Sequence, residues 1–416
     1  PGLLGSRLAR AGDGVEVWPG GTRKLLTSDY QDLALRIDPE TLEPIDDGLV
    51  PSGIFEAAAG RDFYRRLMSV LREAGGYRLS RPGRPVVQQR ARLYVFTYDW
   101  RQDNVRTVAK LDELIEQIRR DYRDPSLRVD IVAHSMGGLV ARYYERYGTV
   151  DVLDGNSFTV TGLGLAKLRR VVLLGTPNQG TVTAVHKFLN GYRVGFSALP
   201  TEGVATMPST FQLFPHPLVD WVVNIKGEPL DFDVFDVDFW RRYEWSIFDH
   251  RIQRRMRRRV IAWPPQAVFE RWFEKRLERA RRFTWSLMVP AYGVPLIEPL
   301  LLGSDCVPTP RRLVFENVGG EAVARLRPEQ ILAPTPGLDY ETLMFAPGDG
   351  SVSLSSLLSS QYLGEEVPRH EQERPETGRN RIVCARHDTL TSNDELLAAL
   401  IEYLLAPEPA AEMAAP

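Results

Sequence analysis

The run Val129-Asp130-Ile131-Val132-Ala133-His134-Ser135-Met136-Gly137-Gly138-Leu139-Val140-Ala141-Arg142 decides how this chain is read. An apolar stretch leads into a corner of small residues, and a helix-like stretch that continues through Tyr143 and Tyr144 leaves it. The corner reads Ala-His-Ser-Met-Gly, one residue away from Gly-x-Ser-x-Gly. That motif sets a serine on a sharp strand-to-helix turn, with its hydroxyl projecting from the top of a parallel sheet. Residues two positions to either side must be small for the backbones to pass, and Ala133 and Gly137 satisfy this. The first helical N–H, that of Met136, is then available to a developing oxyanion. The competing reading is an ordinary Gly-rich strand–helix turn with an idle serine. The strand before and the helix after favour the nucleophile.

Outward from this corner the chain has the rhythm of a parallel sheet. Upstream, Ala91–Phe96 reads as a buried strand that runs into Tyr98-Asp99-Trp100-Arg101. An amphipathic helix follows to Tyr122, with Val108, Leu111, Leu114, Ile115 and Ile118 on one face. Downstream, a helix runs to Gly148 and another strand spans Leu168 to Leu174. Strand, helix, strand, helix, strand implies an α/β class with a mostly parallel sheet and helices on its faces. Pro1-Gly2-Leu3-Leu4-Gly5-Ser6 resembles the loop that follows a first core strand, with the strand itself missing. Such a loop can aim the Leu3 N–H at an oxyanion, or be a plain turn. Residues 10–55 read as an irregular excursion with short strands, and Phe55–Gly75 as a helix.

The rhythm stops near residue 181 and returns near 294. This divides the chain into a core (1–180 and 294–405), an inserted cap or lid (181–293) and a disordered Ala/Pro/Glu tail (406–416). The cap is rich in aromatics and prolines, and His250–Arg282 is rich in Arg and Lys with few acids. Two amphipathic helices broken at Pro264-Pro265 are expected there. Their basic, aromatic surface suits peripheral contact with a lipid surface. Alternatively, the helices pack on the core with their arginines solvated. Beyond the cap, Leu300–Leu302 and Arg381–Cys384 read as strands, and Ser392-Asn393-Asp394-Glu395 as a capping box opening a last helix.

The chain has 416 residues with a net charge near −2, 43% hydrophobic and 25% charged. This balance excludes a nucleic-acid binder by charge, and no apolar stretch is long enough to span a membrane. Two cysteines, Cys306 and Cys384, exclude a disulfide scaffold and a multi-cysteine zinc site. They leave one bridge or two free thiols open. With no visible leader, these features lean towards a cytoplasmic location. Oligomeric state is not legible.

A serine nucleophile needs a base, and the base an orienting carboxylate, in the chain order Ser, acid, His. There are six histidines. His134 adjoins the serine in sequence, so its side chain is expected to point elsewhere. His186, His216 and His250 belong to the cap, and His370 to a charged, Pro-flanked loop. His387, between a short strand and the final helix, stands where the base belongs. Asp349, in Gly-Asp-Gly, is the favoured acid, with Asp305 as competitor. Asp99 is out of order; Tyr98, Asp99 and Trp100 are candidates for the site rim, with a bracing role preferred.

These motifs together resemble the lecithin:cholesterol acyltransferase and lysosomal phospholipase A2-like branch of the α/β-hydrolases. The resemblance rests on Pro1–Gly5, Tyr98–Arg101, Ala133–Gly138, Leu174–Pro177, Met207–Ser209, Gly303–Pro310, and Gly348–Gly350 followed by His387. It implies an α/β-hydrolase fold, with Ser135 as nucleophile, Asp349 as acid, His387 as base, and the Leu3 and Met136 N–H groups as oxyanion hole. It further implies an acyl-serine formed from a lipid ester and passed to water or an alcohol, with no metal or cofactor. The cysteine pairs of the animal members are missing, so the chain looks more like the bacterial relatives. A short-chain carboxylesterase is the nearest alternative, and a non-catalytic lipid- or protein-binding module is the alternative of another class.

Overall fold

The computed structural model describes residues 1–407 apart from 59, 88–90, 156–157, 195–196, 259–262 and 360–379. His370 and the tail from 408 lie outside the described residues. In chain order, the elements that position the site begin with β1 (Ser6–Arg10), β2 (Glu16–Trp18) and β3 (Leu49–Ile54). There follow α1 (Arg65–Glu73), α2 (Asn104–Tyr122), β4 (Val129–His134), α3 (Met136–Tyr147), β5 (Leu168–Leu174) and α4 (Val182–Asn190). Next come β6 (Val222–Asn224), α5 (His250–Arg257), α6 (Gln266–Met288), β7 (Leu300–Ser304), β8 (Leu313–Val318) and β9 (Glu321–Arg325). The series ends with β10 (Arg381–Val383) and α7 (Asp394–Leu405).

The central sheet has the order β4-β5-β7-β10, all parallel, with Ile131 opposite Val171, Val172 opposite Leu300 and Gly303 opposite Ile382. Its strands are apolar on both faces because both are covered. Val172, Leu174, Leu300 and Leu302 pack with Leu67 and Leu71 of α1 and Leu396, Leu397 and Leu400 of α7. Their neighbours Val171, Leu173 and Leu301 join the larger cluster with Val108, Leu111 and Ile115 of α2 and Leu139 and Val140 of α3. This alternation follows from the two-residue period of a strand. It is the α/β architecture, a parallel sheet with helices on both faces, expected from the strand–helix rhythm.

Helix boundaries follow local chemistry. Asp103 caps α2 by accepting the Val105 N–H at 2.9 Å, and Arg123 in the left-handed region (φ 55°) ends it. For α7 the cap is Asn393, which accepts the Leu396 N–H at 3.0 Å. The expected capping residue, Ser392, instead closes the preceding 3-10 turn by donating to Thr389 O.

Two expectations about the first hundred residues need correction. Residues 6–54 hold an antiparallel sheet with β1 in the middle, between β2 and β3. Its β1–β2 pair is a local hairpin, with Leu8 opposite Trp18, but the β1–β3 pair sets Ser6 opposite Ile54, which no local pattern announces. In the stretch 91–96, only Arg92–Leu93 forms a strand, paired in parallel with Arg78–Leu79. Among the described residues, β4 has no sheet neighbour on its outer edge. That edge and residues 91–96 face each other across a cavity of about 600 Å³, closed by Leu67 and Leu71 of α1 and Leu111, Ile115 and Ile118 of α2. Without a strand between them, residues 94–96 have no ladder to join.

The region 181–293 contains the two expected helices, α5 and α6, on either side of Pro264-Pro265. Helix α6 is held at its C-terminus by α3. Arg142 donates to Leu287 O at 2.7 Å, Arg146 to Ser286 O at 3.1 Å, and the Tyr147 hydroxyl to Ser286 O at 2.7 Å. These donors satisfy carbonyls that a helix end leaves open. The aromatics pack on one another, with Phe188 against Phe211 and Phe214 at 4.7 Å and Trp240 against Phe273 at 5.2 Å. Most basic residues of α6 meet acids elsewhere in the fold: Lys275 and Arg276 meet Glu43, Arg279 meets Asp103 and Asp151, and Arg281 meets Asp233. Helix α5 differs: it buries Ile252 and Met256 and leaves Arg251, Arg254 and Arg257 exposed. Among the described residues, no helix is long and apolar enough to cross a membrane.

Cys306 and Cys384 form a disulfide, with Cα atoms 5.2 Å apart. It ties the end of β7 to the end of β10. Structural disulfides belong to oxidising compartments, so the low cysteine count gives no support to a cytoplasmic location.

Candidate active site

Ser135 occupies the corner between β4 and α3 with φ 56° and ψ −130°, a conformation an L-residue adopts only under constraint. The constraint is the sheet: the Ser135 N–H donates to Leu174 O at 2.8 Å, continuing the β4–β5 ladder through the corner. The fit also explains the small neighbours. A Cβ on Gly137 would stand 2.5 Å from Pro1 O, and one on Gly2 would stand 2.6 Å from Ser135 Cβ. The start of the chain therefore lies directly against the serine corner.

Ser135 Oγ is 2.9 Å from His387 Nε2, and His387 Nδ1 is 2.7 Å from Asp349 Oδ2. Asp349 is buried, and its other oxygen, Oδ1, accepts the N–H groups of Ser351 at 2.9 Å and Val352 at 2.7 Å. One carboxylate oxygen is thus fixed by backbone, which leaves the second aimed at the imidazole. The His387 N–H donates to Asp349 O at 2.8 Å, so the two loops are joined by backbone as well. The Asp349 turn is held in turn by Thr309, whose hydroxyl accepts the Gly350 N–H at 2.8 Å. Of the two acids weighed from sequence, it is Asp349 that meets His387. Burial works against a charged imidazole. The charge and hydrogen bond of Asp349, with Asp388 behind, outweigh it and hold His387 above the ordinary histidine value.

Met136 is the first residue of α3, where an N–H has no acceptor within the helix. Leu3 follows Gly2 in a tight turn closed by Gly5 N–H to Gly2 O at 3.0 Å. Aromatic side chains hold this loop at four points. Tyr98 donates its hydroxyl to Pro1 O at 2.7 Å, and the Tyr64 hydroxyl accepts the Gly2 N–H at 3.0 Å. The indoles of Trp18 and Trp100 donate to Leu4 O at 2.9 Å and Ser6 O at 3.0 Å. Asp99 pairs with the fully buried Arg101, which also meets Asp47. Tyr98 and Trp100 thus brace the loop beside the serine, Asp99 instead holds Arg101, and Trp100 is sealed in the core. Tyr64 and Trp18 carry no motif and were not legible as site supports. Their signal is only the spatial one.

Two comparisons follow from this geometry. A serine at a strand–helix corner, followed along the chain by an acid and then a histidine, is the arrangement described for the α/β-hydrolase fold. A chain in the crystal structure of the Tle4–Tli4 complex has the same fold, with a TM-score of 0.55 over 97% of this chain and 96% of that one at 14% identity. Residues 87–270, which include the Tyr98–Arg101 stretch, the serine corner and residues 181–270 beyond the strand–helix repeat, match the family model for lecithin:cholesterol acyltransferase. The resemblance drawn from the motifs holds on that segment. At the coarse level the match points to lipid-ester hydrolases and acyltransferases. No curated protein matches the chain in sequence.

Proposed function

We propose that this protein is a serine acyl-enzyme hydrolase or acyltransferase acting on a lipophilic carboxylic ester. The observation that carries the reading is the continuous hydrogen-bonded chain Ser135–His387–Asp349 at the end of a parallel sheet. Ser135 Oγ attacks the ester carbonyl while His387 Nε2 takes its proton, and Asp349 holds the imidazole and stabilises its charged form. The Met136 and Leu3 N–H groups receive the negative charge on the carbonyl oxygen. Collapse of the tetrahedral intermediate breaks the ester C–O bond, and His387 returns the proton to the departing alcohol. Water or a second alcohol then gives a proton to His387 and attacks the acyl carbonyl, the bond from that carbon to Ser135 Oγ breaks, and His387 passes the proton to Ser135 Oγ.

In this reading residues 1–180 and 294–405 form the hydrolase core and 181–293 form the cap. The exposed arginines of α5 are where the cap meets anionic headgroups.

The test is labelling with a fluorophosphonate probe, wild type against Ser135→Ala, followed by p-nitrophenyl esters of increasing chain length with and without an alcohol acceptor. Labelling lost in the variant, with turnover rising towards long chains, is expected. A short-chain optimum would make the protein a plain carboxylesterase. No labelling of folded wild type would refute the catalytic reading and leave a lipid- or protein-binding module.

A further inference from the structure

His134 has no part in the acyl-transfer steps, yet it sits at the centre of a hydrogen-bond chain that joins both halves of the site. Its Nδ1 is 2.8 Å from the Tyr64 hydroxyl, and its Nε2 is 3.2 Å from His387 O. Its ring lies 4.9 Å from the His387 ring, tilted by 35°. The protons of this chain admit one consistent order. The Gly2 N–H donates to Tyr64 Oη, so the Tyr64 hydroxyl proton is directed to His134 Nδ1. Nδ1 is then an acceptor, and the remaining proton on Nε2 is donated to His387 O. Burial, and then the neighbouring His387, hold His134 well below the ordinary histidine range, in keeping with a neutral ring.

Each end of the chain lands on a group that the reaction needs in one place. Gly2 packs against Ser135 and precedes Leu3, so fixing its N–H anchors the peptide immediately ahead of the one that carries the Leu3 N–H. His387 O is the carbonyl of the base itself, whose own N–H is already tied to Asp349 O. We propose that Tyr64 and His134 are positioning residues that lock the Pro1–Leu3 loop and the His387 loop onto the Ser135 corner, so that the oxyanion donors and the base keep a common geometry through the reaction. The inference rests on the serine acyl-transfer reading above. It assigns a role to the histidine that adjoins the nucleophile and to a tyrosine with no sequence motif. A structural hydroxyl alone would affect stability. A positioning hydroxyl affects the chemical step, because displacing reacting groups by about 1 Å costs on the order of 100-fold.

The experiment compares Tyr64→Phe, His134→Gln and His134→Leu with wild type. It measures kcat and KM on a p-nitrophenyl ester, the rate of fluorophosphonate labelling, and the melting temperature. Tyr64→Phe is expected to lower kcat and the labelling rate about 10- to 100-fold, with KM within about twofold and an unchanged melting curve. His134→Gln keeps an acceptor and a donor and is expected to retain more activity than His134→Leu, which keeps neither. A folded Tyr64→Phe within about threefold of wild-type kcat, or equal activity of the Gln and Leu variants, would overturn the proposal. Ser135→Ala is run alongside. If it labels as wild type does, the acyl-enzyme reading itself fails. If its labelling is lost while Tyr64→Phe is unaffected, only the positioning role fails.

Discussion

Gly2→Ala tests the close contact between the chain's first loop and the serine corner. The added methyl would stand 2.6 Å from Ser135 Cβ, 3.1 Å from Ser135 Oγ and 3.3 Å from His134 O. Carbon atoms in contact need about 3.5–4.0 Å, so roughly 1 Å must be found. It cannot come from the corner, because Ser135 N–H is tied to Leu174 O and Ser135 sits in a constrained conformation. It must come from the Pro1–Leu3 loop, which carries the proposed oxyanion donor. A displacement of about 1 Å at the reacting centre lowers kcat by on the order of 100-fold, equivalent to about 2.7 kcal/mol of lost transition-state stabilisation. The anchors at Tyr98 and Tyr64 both hold the Pro1–Gly2 peptide and lie outside the central sheet, so the fold survives and the loss falls on kcat more than on KM. The assay is steady-state hydrolysis of a p-nitrophenyl ester by wild type and variant, with far-ultraviolet circular dichroism and melting as folding controls. A folded Gly2→Ala enzyme within about threefold of wild-type kcat would refute the reasoning, because the loop would then have room the structure denies it.

The proposed base, His387, would act only when neutral, and its pKa is held above the ordinary histidine value of about 6.5. As pH falls through that raised value, kcat/KM is therefore lost, with an acid limb above pH 6.5. Asp349→Asn should move this limb to lower pH and reduce kcat by up to about 10⁴-fold, as a pH–rate profile will reveal. Replacing both Cys306 and Cys384 by Ala opens a cross-link between residues 78 apart in sequence, worth about 4 kcal/mol on chain-entropy grounds. Because the bridge joins strand ends beside the Asp349 and His387 loops, urea unfolding should move to lower denaturant and activity should fall with it. Joining a six-residue apolar, β-branched segment ahead of Pro1 should fill the cavity beside β4 and raise the melting temperature. A Gly/Ser segment of equal length should leave it unchanged. Arg251→Glu with Arg254→Glu should reduce co-flotation with anionic vesicles while leaving hydrolysis of a soluble ester intact.

Much of the core was legible because parallel strands and their covering helices are local in pattern. The apolar runs at Val129–His134, Leu168–Leu174 and Leu300–Ser304 and the helical spacing at Asn104–Tyr122 each fall within one element. The serine corner is legible for the same reason, since its strain, small neighbours and helix start are consecutive residues. The meeting of Asp349 with His387 was readable only as an order along the chain. Their 2.7 Å contact depends on β7 and β10 lying side by side. The pairing of β1 with β3 escaped the sequence because it sets Ser6 opposite Ile54, a contact of long range. The cap was legible as helices, but not in its charge. The basic run of α6 looks like one surface until the fold brings Glu43, Asp103, Asp151 and Asp233 against it. The same holds for the supports of the site. Tyr64, Trp18 and the two ends of His134 act through bonds between residues from 14 to 253 positions apart, and one-dimensional spacing carries no record of such distances. By itself, then, the sequence determined which residues are candidates for the chemistry and their order along the chain, because hydrophobic period and turn chemistry are local. The tertiary structure alone decided which carboxylate faces the base, whether the cysteines join, where the positive charge stays exposed and what holds the first loop to the serine. Each of those depends on surfaces that meet only when the chain closes on itself.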